Sequence, residues 1–279
     1  MGSEGKAARR RLVVNADDFG RSQPINRAIV RAHQEGILTT TSLMVNEPAC
    51  EEAVEFAKVN PGLGVGLHLT LLCGHSALSA ASIPGLVNGQ NEFTNNPTAA
   101  GFRYFFQKPL RSQLRAEIHE QFKKFRATGL EMDHVNGHLH LHLHPVVFSI
   151  LMQDAVELNI RHVRLTYDPF WMNLQLASGR LFYRTVQALI FQSLAARARR
   201  DLVHRGFKHT DRVFGLLQNA RVDESYVQRL LNRLPGGDSE LYSHPSLDEF
   251  KNEFEALISP RVRELVTALG IELIRYQDI

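Results

Sequence analysis

Residues 11–20 read RLVVNADDFG and residues 25–36 read INRAIVRAHQEG. The first stretch is short and β-branched, and it ends in two aspartates before a glycine turn. The second carries apolar residues at helical spacing and stops at Gly36, where a helix C-terminus is expected. TTTSLMV (39–45) then predicts a second strand, ACEEAVEFAKV (49–59) a helix and GVGLHLTL (64–71) a third strand. Strand and helix alternate from the start, which is the rhythm of βαβ units and a parallel sheet.

Residues 72–109 interrupt this rhythm with Gly, Pro and Asn, as in IPGLVNGQNEFTNNP, and predict a long excursion rather than a domain boundary. Beyond it the alternation returns. The pattern predicts a helix over 110–129, a strand over 131–136, a helix from Pro145 to 158 and a strand HVRLT over 162–166. A long helical stretch over about 175–206 follows, then DRVFGL, helix ESYVQRLLNRL, strand ELYSHP, two helices and a closing strand ELIRY. That many units in one chain predict a distorted (β/α) barrel of about seven or eight strands. The expected organisation is a disordered tail over 1–10 and a single barrel domain over 11–279.

The formal charge of +3 is spread along the chain and lacks the concentrated basic face of a nucleic-acid binder. Only Cys50 and Cys73 are present, so no disulfide framework is expected and a reducing compartment suits the chain. No apolar run approaches the roughly 18 residues needed to span a bilayer, and MGSEGKAARRR lacks the apolar region of a signal peptide. The expected address is the cytoplasm.

In (β/α) barrels, reactive groups sit where strands exit into helices. The polar residues predicted at such places are Asn15, Asp17 and Asp18 after the first strand, His68 in the third, Asn136 and His138 after the fourth, Arg164 in the next and His244 near the end. Adjacent carboxylates at a strand exit point different ways, so one can bind a cation while the other stays free as a base. A solvated turn accounts for the pair equally well. His68 alone reads as a hydrogen-bonded core residue and gains interest only with partners. Those partners lie in HVNGHLHLHLHP (134–145). An extended chain would put His138, His140, His142 and His144 on one face, whereas a helix would pair His138 with His142. A single ion has room for two or three histidines, so part of the cluster serves another purpose. A carboxylate with two imidazoles suits a catalytic divalent metal, and His244 has the right chemistry for a proton donor near neutral pH.

With these residues assembled, the chain resembles the YdjC-like carbohydrate deacetylases, relatives in mechanism of the NodB-type polysaccharide deacetylases. The matching segments are NADDFGRS, EGILTTTSLMVN, VGLHLTL, DHVNGHLHLHLHP, TDRVFG and ELYSHP. NPGLGVGLHLTL, IPGLVNGQNEF, FRATGLEMDHVNGHLHLHLHP and LNRLPGGDSELYSHP bring it closer to the hopanoid-biosynthesis-associated branch. The resemblance implies a NodB-like deacetylase architecture and removal of an N-acetyl group from an amino sugar, in that branch an N-acetylglucosaminyl hopanoid lipid. It implies Asp18, His68 and His138 as ligands of one divalent metal, Mg²⁺ or Zn²⁺, with Asp17 as general base and His244 as general acid. Arg164 is expected to orient Asp17, and Asp211 in TDRVFG to hold His244. Asn15, Asn136, His140, His142 and Phe214 are expected to line the pocket or back the ligands. The chain departs from many relatives at Asn136, where they carry aspartate, and at Leu139, where they carry histidine or glutamine. Homodimers are common in the family.

The stretch LFYRTVQALIFQSLAARARRDLVHRGF (181–207) reads as a packed helix with a solvated basic end. With a lipid-linked substrate it reads instead as a peripheral contact with the inner membrane surface, through Arg197, Arg199, Arg200 and Arg205. Two rival functions follow from the same residues. One is another metal-dependent amidohydrolase or phosphoesterase on the same barrel, and the other is a noncatalytic metal-binding accessory protein.

Overall fold

The computed structural model describes residues 9–279. Residues 1–8 of the expected 1–10 tail lie outside the described residues. The remainder of that expectation is corrected by β1 (Arg10–Phe19), which begins inside it: Arg10 pairs with Gly237, and its guanidinium donates to the Leu269 carbonyl at 2.6 Å. The chain continues through α1 (Gln23–Glu35), β2 (Thr40–Leu43), α2 (Cys50–Lys58), β3 (Gly64–Leu69), α3 (Pro97–Phe106), α4 (Leu110–Ala127), β4 (Met132–Gly137) and α5 (Pro145–Gln153). After these come α6 (Phe170–Leu176), α7 (Leu181–His204), β5 (Arg212–Phe214), α8 (Glu224–Arg233), β6 (Gly237–Ser243), α9 (Lys251–Ile258), α10 (Pro260–Ala268) and β7 (Glu272–Ile274). Among the described residues no helix is long and apolar enough to cross a membrane.

All the strand pairs are parallel, in the order β4-β3-β2-β1-β6-β5. One edge of β1 is taken by β6; the other is shared, β7 pairing with Arg11–Val13 and β2 with Asn15–Phe19. The predicted strand over 162–166 is reduced to isolated bridges, yet it closes the ring. Val135 N–H donates to the His162 carbonyl and Arg164 N–H to the Val135 carbonyl on the β4 side. On the other side Val163 N–H bonds the Lys208 carbonyl, and Val213 N–H bonds the Tyr167 carbonyl. The result is the distorted barrel that the alternation predicts, with one irregular stave. Its strands are buried along nearly their whole length, as expected when helices cover a parallel sheet.

Local chemistry sets the boundaries. Pro24 opens α1 where no N–H is needed. The helix stops at Gly36 as expected, but through crowding and not through a left-handed turn: φ is −124°, and a β-carbon would lie 2.2 Å from the Leu257 carbonyl oxygen at the end of α9. The excursion over 72–109 carries two antiparallel bridges and α3, and the buried Glu117 of α4 ties it down by accepting from Ala77 N–H and Leu78 N–H at 2.7 and 2.9 Å.

Asp168 follows the irregular stave and is buried, its Oδ2 accepting from Leu217 N–H at 3.1 Å while Oδ1 has no partner. Burial pushes its carboxyl up to about 7, against the two backbone N–H groups of Leu217 and Gly215 that favour the anion. Between the ordinary carboxylate value and 7 the folded state holds a proton that the unfolded chain has lost, so stability falls as pH rises through that window. Thermal unfolding of wild-type protein is therefore expected to weaken by about 2 kcal/mol from pH 5 to pH 8 on account of this group, a decline that Asp168→Asn removes. Parallel pH profiles of the two proteins would dismiss this account.

Candidate metal centre and active site

Three strand exits meet at the C-terminal rim of the barrel. The registers that place Ala16 beside Ser243 and His68 beside Asn136 bring Asp17 level with His244 and put β3 and β4 side by side. In β1 the pairing with β2 slips between Ala16 and Phe19, so that one extra residue is accommodated, and Asp18 takes a left-handed φ of 66°. This bulge lets neighbouring carboxylates serve different partners. Asp17 turns toward the barrel interior and Asp18 toward His68 and His138.

Asp18 Oδ1 lies 3.0 Å from His138 Nδ1 and 3.3 Å from His68 Nε2, and the two rings approach at 3.4 Å. These three buried donors fall within 4.8 Å of one another and form the only such group of three among the described residues. Burial opposes the charge on Asp18, but the imidazoles of His138 and His68 hold its carboxyl well below the usual range. Arg21 adds a 2.8 Å bond to Asp18 Oδ2.

Asn136 fixes how His68 is presented. Its Nδ2 donates to Asp17 Oδ1 at 3.0 Å and to Ser42 Oγ at 2.8 Å, so its Oδ1 faces His68 Nδ1 at 2.7 Å. Nδ1 therefore donates to Asn136, and Nε2 is the nitrogen turned toward Asp18 and His138. Asn136 thus both accepts from His68 and donates to Asp17, which a carboxylate at this position could not do.

Asp17 is buried and anchored. Arg164 Nη1 donates to Oδ2 at 2.7 Å and Nη2 to Oδ1 at 3.0 Å, as the resemblance implies for an orienting arginine. Oδ1 also receives Asn15 Nδ2 at 2.8 Å. Desolvation raises its pKa, yet the charges of Arg164 and His68 outweigh this and keep Asp17 ionised far below ordinary carboxylate values. Oδ1 is crowded with donors, whereas among the described residues Oδ2 has only Arg164. Oδ2 is the atom left to take a proton.

The histidine run is neither extended nor a regular helix. Leu139 and His140 are left-handed, with φ of 48° and 58°, inside a 3₁₀ segment over His138–Leu143, so the imidazoles fan out to separate partners. His138 meets Asp18; His140 Nε2 bonds the Tyr242 hydroxyl at 3.0 Å; His142 Nε2 donates to the Arg164 carbonyl at 3.0 Å; His144 Nε2 donates to the Gly101 carbonyl at 3.1 Å. Burial is the main force lowering the pKa of His140 far below normal and that of His142 to about 3, so both rings stay neutral.

A cavity of about 700 Å³ opens beside this centre. Asp17, His140, Tyr242 and His244 form its polar end, and the rest is largely apolar, with Phe102, Phe105, Leu141, Ile190 and Phe191 in the walls. His244 is held by its backbone N–H on Glu253 Oε2 at 2.6 Å, with the ring Nδ1 4.0 Å from the same oxygen.

Two expectations are corrected. Asp211 does not hold His244: it precedes β5, its carboxylate accepts from Asp238 N–H at the start of β6, and His244 follows the other end of that strand. Glu253 occupies the place foreseen for it. Phe214 does not line the pocket but packs in the main core. Sequence reasoning also missed Ser42, Glu240 and Tyr242. The last two alternate with outward residues along β6 and share the inward face with His244, a period-two signal present in ELYSHP. Ser42 Oγ, His134 Nε2 and Asp133 are linked at 3.0 and 3.0 Å like a hydrolytic triad, but Ser42 is fully buried and outside the cavity wall, so this chain of bonds braces Asn15 and Asn136 instead.

A family model described as YdjC-like protein matches residues 11–268, and the chain belongs to that family. It is similar to a carbohydrate deacetylase of Clostridium beijerinckii, 29% identical over 96% of this chain and 100% of that one, and to carbohydrate deacetylase 2 of Listeria innocua serovar 6a, 30% identical over 96% and 98%. The match to a carbohydrate deacetylase of Brevibacillus brevis is 37% identical, and there the chain spans 57% of the relative's length. For a relative from Geobacillus stearothermophilus, 40% identical, the share is 60%. A crystal structure from Enterococcus faecalis V583, described as a cellobiose-phosphate cleavage protein, has the same fold with a TM-score of 0.73 at 22% identity, covering 97% of this chain and 99% of that one.

The orientation of His68 yields a test. Asn136→Leu is expected to weaken binding of Zn²⁺ by about 10- to 100-fold in calorimetric titration while the protein stays folded. Unchanged affinity would mean that Asn136 does not set the histidine.

Proposed function

We propose that the protein is a metal-dependent N-deacetylase that hydrolyses the acetamide of an acetylated amino sugar. One arrangement carries this reading: a compact cation-binding set on one side of Asp17, and on the other a cavity shared by Asp17 and His244. The carbohydrate deacetylases among the relatives support it.

Asp18, His68 and His138 would hold the cation; a carboxylate and two neutral imidazoles fit a divalent ion, and the two nitrogen donors favour Zn²⁺ or a similar transition ion over Mg²⁺. Bound there, such an ion supplies Lewis acidity toward a water molecule and the acetamide carbonyl. The chain's own residues manage the protons. Arg164 and Asn15 fix Asp17 so that Oδ2 accepts a proton from the attacking water. The acyl carbon gains the hydroxyl, the C–N bond breaks, and His244 delivers a proton to the leaving nitrogen, so that acetate and a free amine result. His140 and Tyr242 sit where they can hold a sugar hydroxyl, and the neutral state of His140 adds no repulsion to the bound cation.

The apolar walls favour a substrate with a large nonpolar portion, and the N-acetylglucosaminyl hopanoid lipid of the resembling branch has that character. The protein then acts as a peripheral partner of the inner membrane surface. The deciding experiment measures acetate and product mass after metal-supplemented incubation with acetylated amino sugars, a hopanoid conjugate among them. Asp17→Asn is expected to keep the metal but lose about 10²- to 10⁴-fold in turnover, and His138→Ala to lose both. Near wild-type turnover in Asp17→Asn would sink the base assignment; phosphate release without acetate release would favour a phosphoesterase.

A further inference from the structure

The cavity's two helical walls, α3 and α7, also carry large apolar side chains that are exposed among the described residues. Phe102 and Phe106 on α3 are 61% and 67% exposed, and Leu181, Phe182 and Leu189 on α7 are 58%, 84% and 65% exposed. Phe102 and Phe106 stack with ring centroids 6.1 Å apart, which makes a continuous apolar surface. Phe182 and Leu189 are two turns apart on one side of α7. Phe102 and Phe106 line the cavity that leads to Asp17, and Ile190, 48% exposed, carries the same wall along α7, whereas Leu189 faces a second cleft with Phe170 and Trp171 on the adjoining side of that helix.

The charge of the same segments is one-sided. Residues 97–116 and 169–200 contain no aspartate or glutamate, yet the first has four Arg or Lys residues and the second has five. Lys108, Arg111, Arg180 and Arg200 are exposed. The basic end of α7 is not the free element that the sequence suggests, because Arg199 Nη2 donates to the Asp211 carbonyl and Arg205 Nη1 to the Met152 carbonyl. Apart from Val203, the most exposed large apolar residues of α7 lie in its first half, away from that basic cluster.

We propose that the α3–α7 rim is a docking surface for an anionic lipid bilayer, with Phe102, Phe106, Phe182 and Leu189 entering the interface and the exposed cations meeting the headgroups. Charge complementarity selects this occupant: a purely apolar partner has no use for segments that carry nine Arg or Lys residues and no acid over 97–116 and 169–200. Docking here points the cavity mouth into the membrane, so an amphipathic substrate slides its sugar toward Asp17 and keeps its nonpolar portion along the apolar wall. The proposal rests on the deacetylase reading for its purpose, not for its evidence.

The test is flotation of the full-length protein with phosphatidylglycerol-containing vesicles and with pure phosphatidylcholine vesicles, alongside acetate release from a soluble N-acetylglucosamine oligosaccharide. Wild-type protein is expected to float with the anionic vesicles only, and less as salt rises. The double variant Phe182→Glu with Leu189→Glu is expected to lose about tenfold or more of that partitioning and to keep its turnover of the soluble substrate, which shows that it is folded. Equal flotation of variant and wild type, or no flotation of wild type, overturns the proposal. So does light scattering that finds a wild-type dimer which the variant breaks, since the surface then belongs to a second copy. Wild-type protein that floats but deacetylates nothing refutes the functional reading and leaves the docking surface standing.

Discussion

Everything at the rim depends on one buried cation. Arg164 is fully buried, and a guanidinium without partners in such a place costs several kcal/mol. It is satisfied by Asp17 from β1 and by Glu240 from β6, whose Oε1 it meets at 2.9 and 2.6 Å, while its face stacks on Tyr242 at 4.7 Å. The Tyr276 hydroxyl bonds the other oxygen of Glu240. The main chain of Arg164 is as important as its side chain: its N–H joins β4, and its carbonyl receives His142. One residue on the weakest stave thus closes the barrel, aims Asp17 and holds the histidine loop in place.

That closure carries strain elsewhere. Asp18, Leu139 and His140 all sit in the left-handed region, where a side chain costs on the order of 1 to 3 kcal/mol unless its surroundings dictate it. Asp18 is dictated by the bulge and by Arg21, His68 and His138; His140 by Tyr242. Leu139 is half-exposed and faces the cavity, so its conformation is the consequence of those of its neighbours. Left-handed backbone also occurs at Cys73, Asn91, Asn159, Arg180 and Ala220, all outside the strands, and among the described non-glycine residues Asp18 is the one within a strand that adopts it.

The strands and helices up to residue 71 were legible because their apolar spacing has an unmistakable period. The histidine run was not. Alternating His and Leu suits a strand, and His138 with His142 suits a helix, but tertiary hydrogen bonds to Asp18, Tyr242, Arg164 and Gly101 overrode both periods. HVRLT reads as a strand and is joined to its neighbours only through isolated bridges, at Val135 and at Lys208. The misplacement of Asp211 had a remedy in the sequence itself: it stands at a strand entrance and His244 at a strand exit, and parallel strands put those at opposite ends of the barrel. Glu253 as its replacement was beyond reach, because α9 gives no local sign that it returns to the rim.

The charge balance of the connected network bears on the cation of the proposed function. Asp17, Asp18 and Glu240 are buried carboxylates, and Arg164 and Arg21 are the guanidiniums bonded to them, so the network carries one surplus negative charge. Burial together with the positive field of Arg164 keeps His140 and His142 neutral, so the imidazoles do not cancel that surplus. An isolated extra anion in such surroundings would take up a proton. Asp18 instead stays ionised because the imidazoles of His138 and His68 approach it within 3.3 Å as hydrogen-bond donors, and the same nitrogens, once freed of their protons, would be the donors a divalent cation needs. A divalent ion bound to the three-residue set would therefore replace those protons as the balancing positive charge, which the Arg164 network that supplies the rigidity has no spare cation to provide.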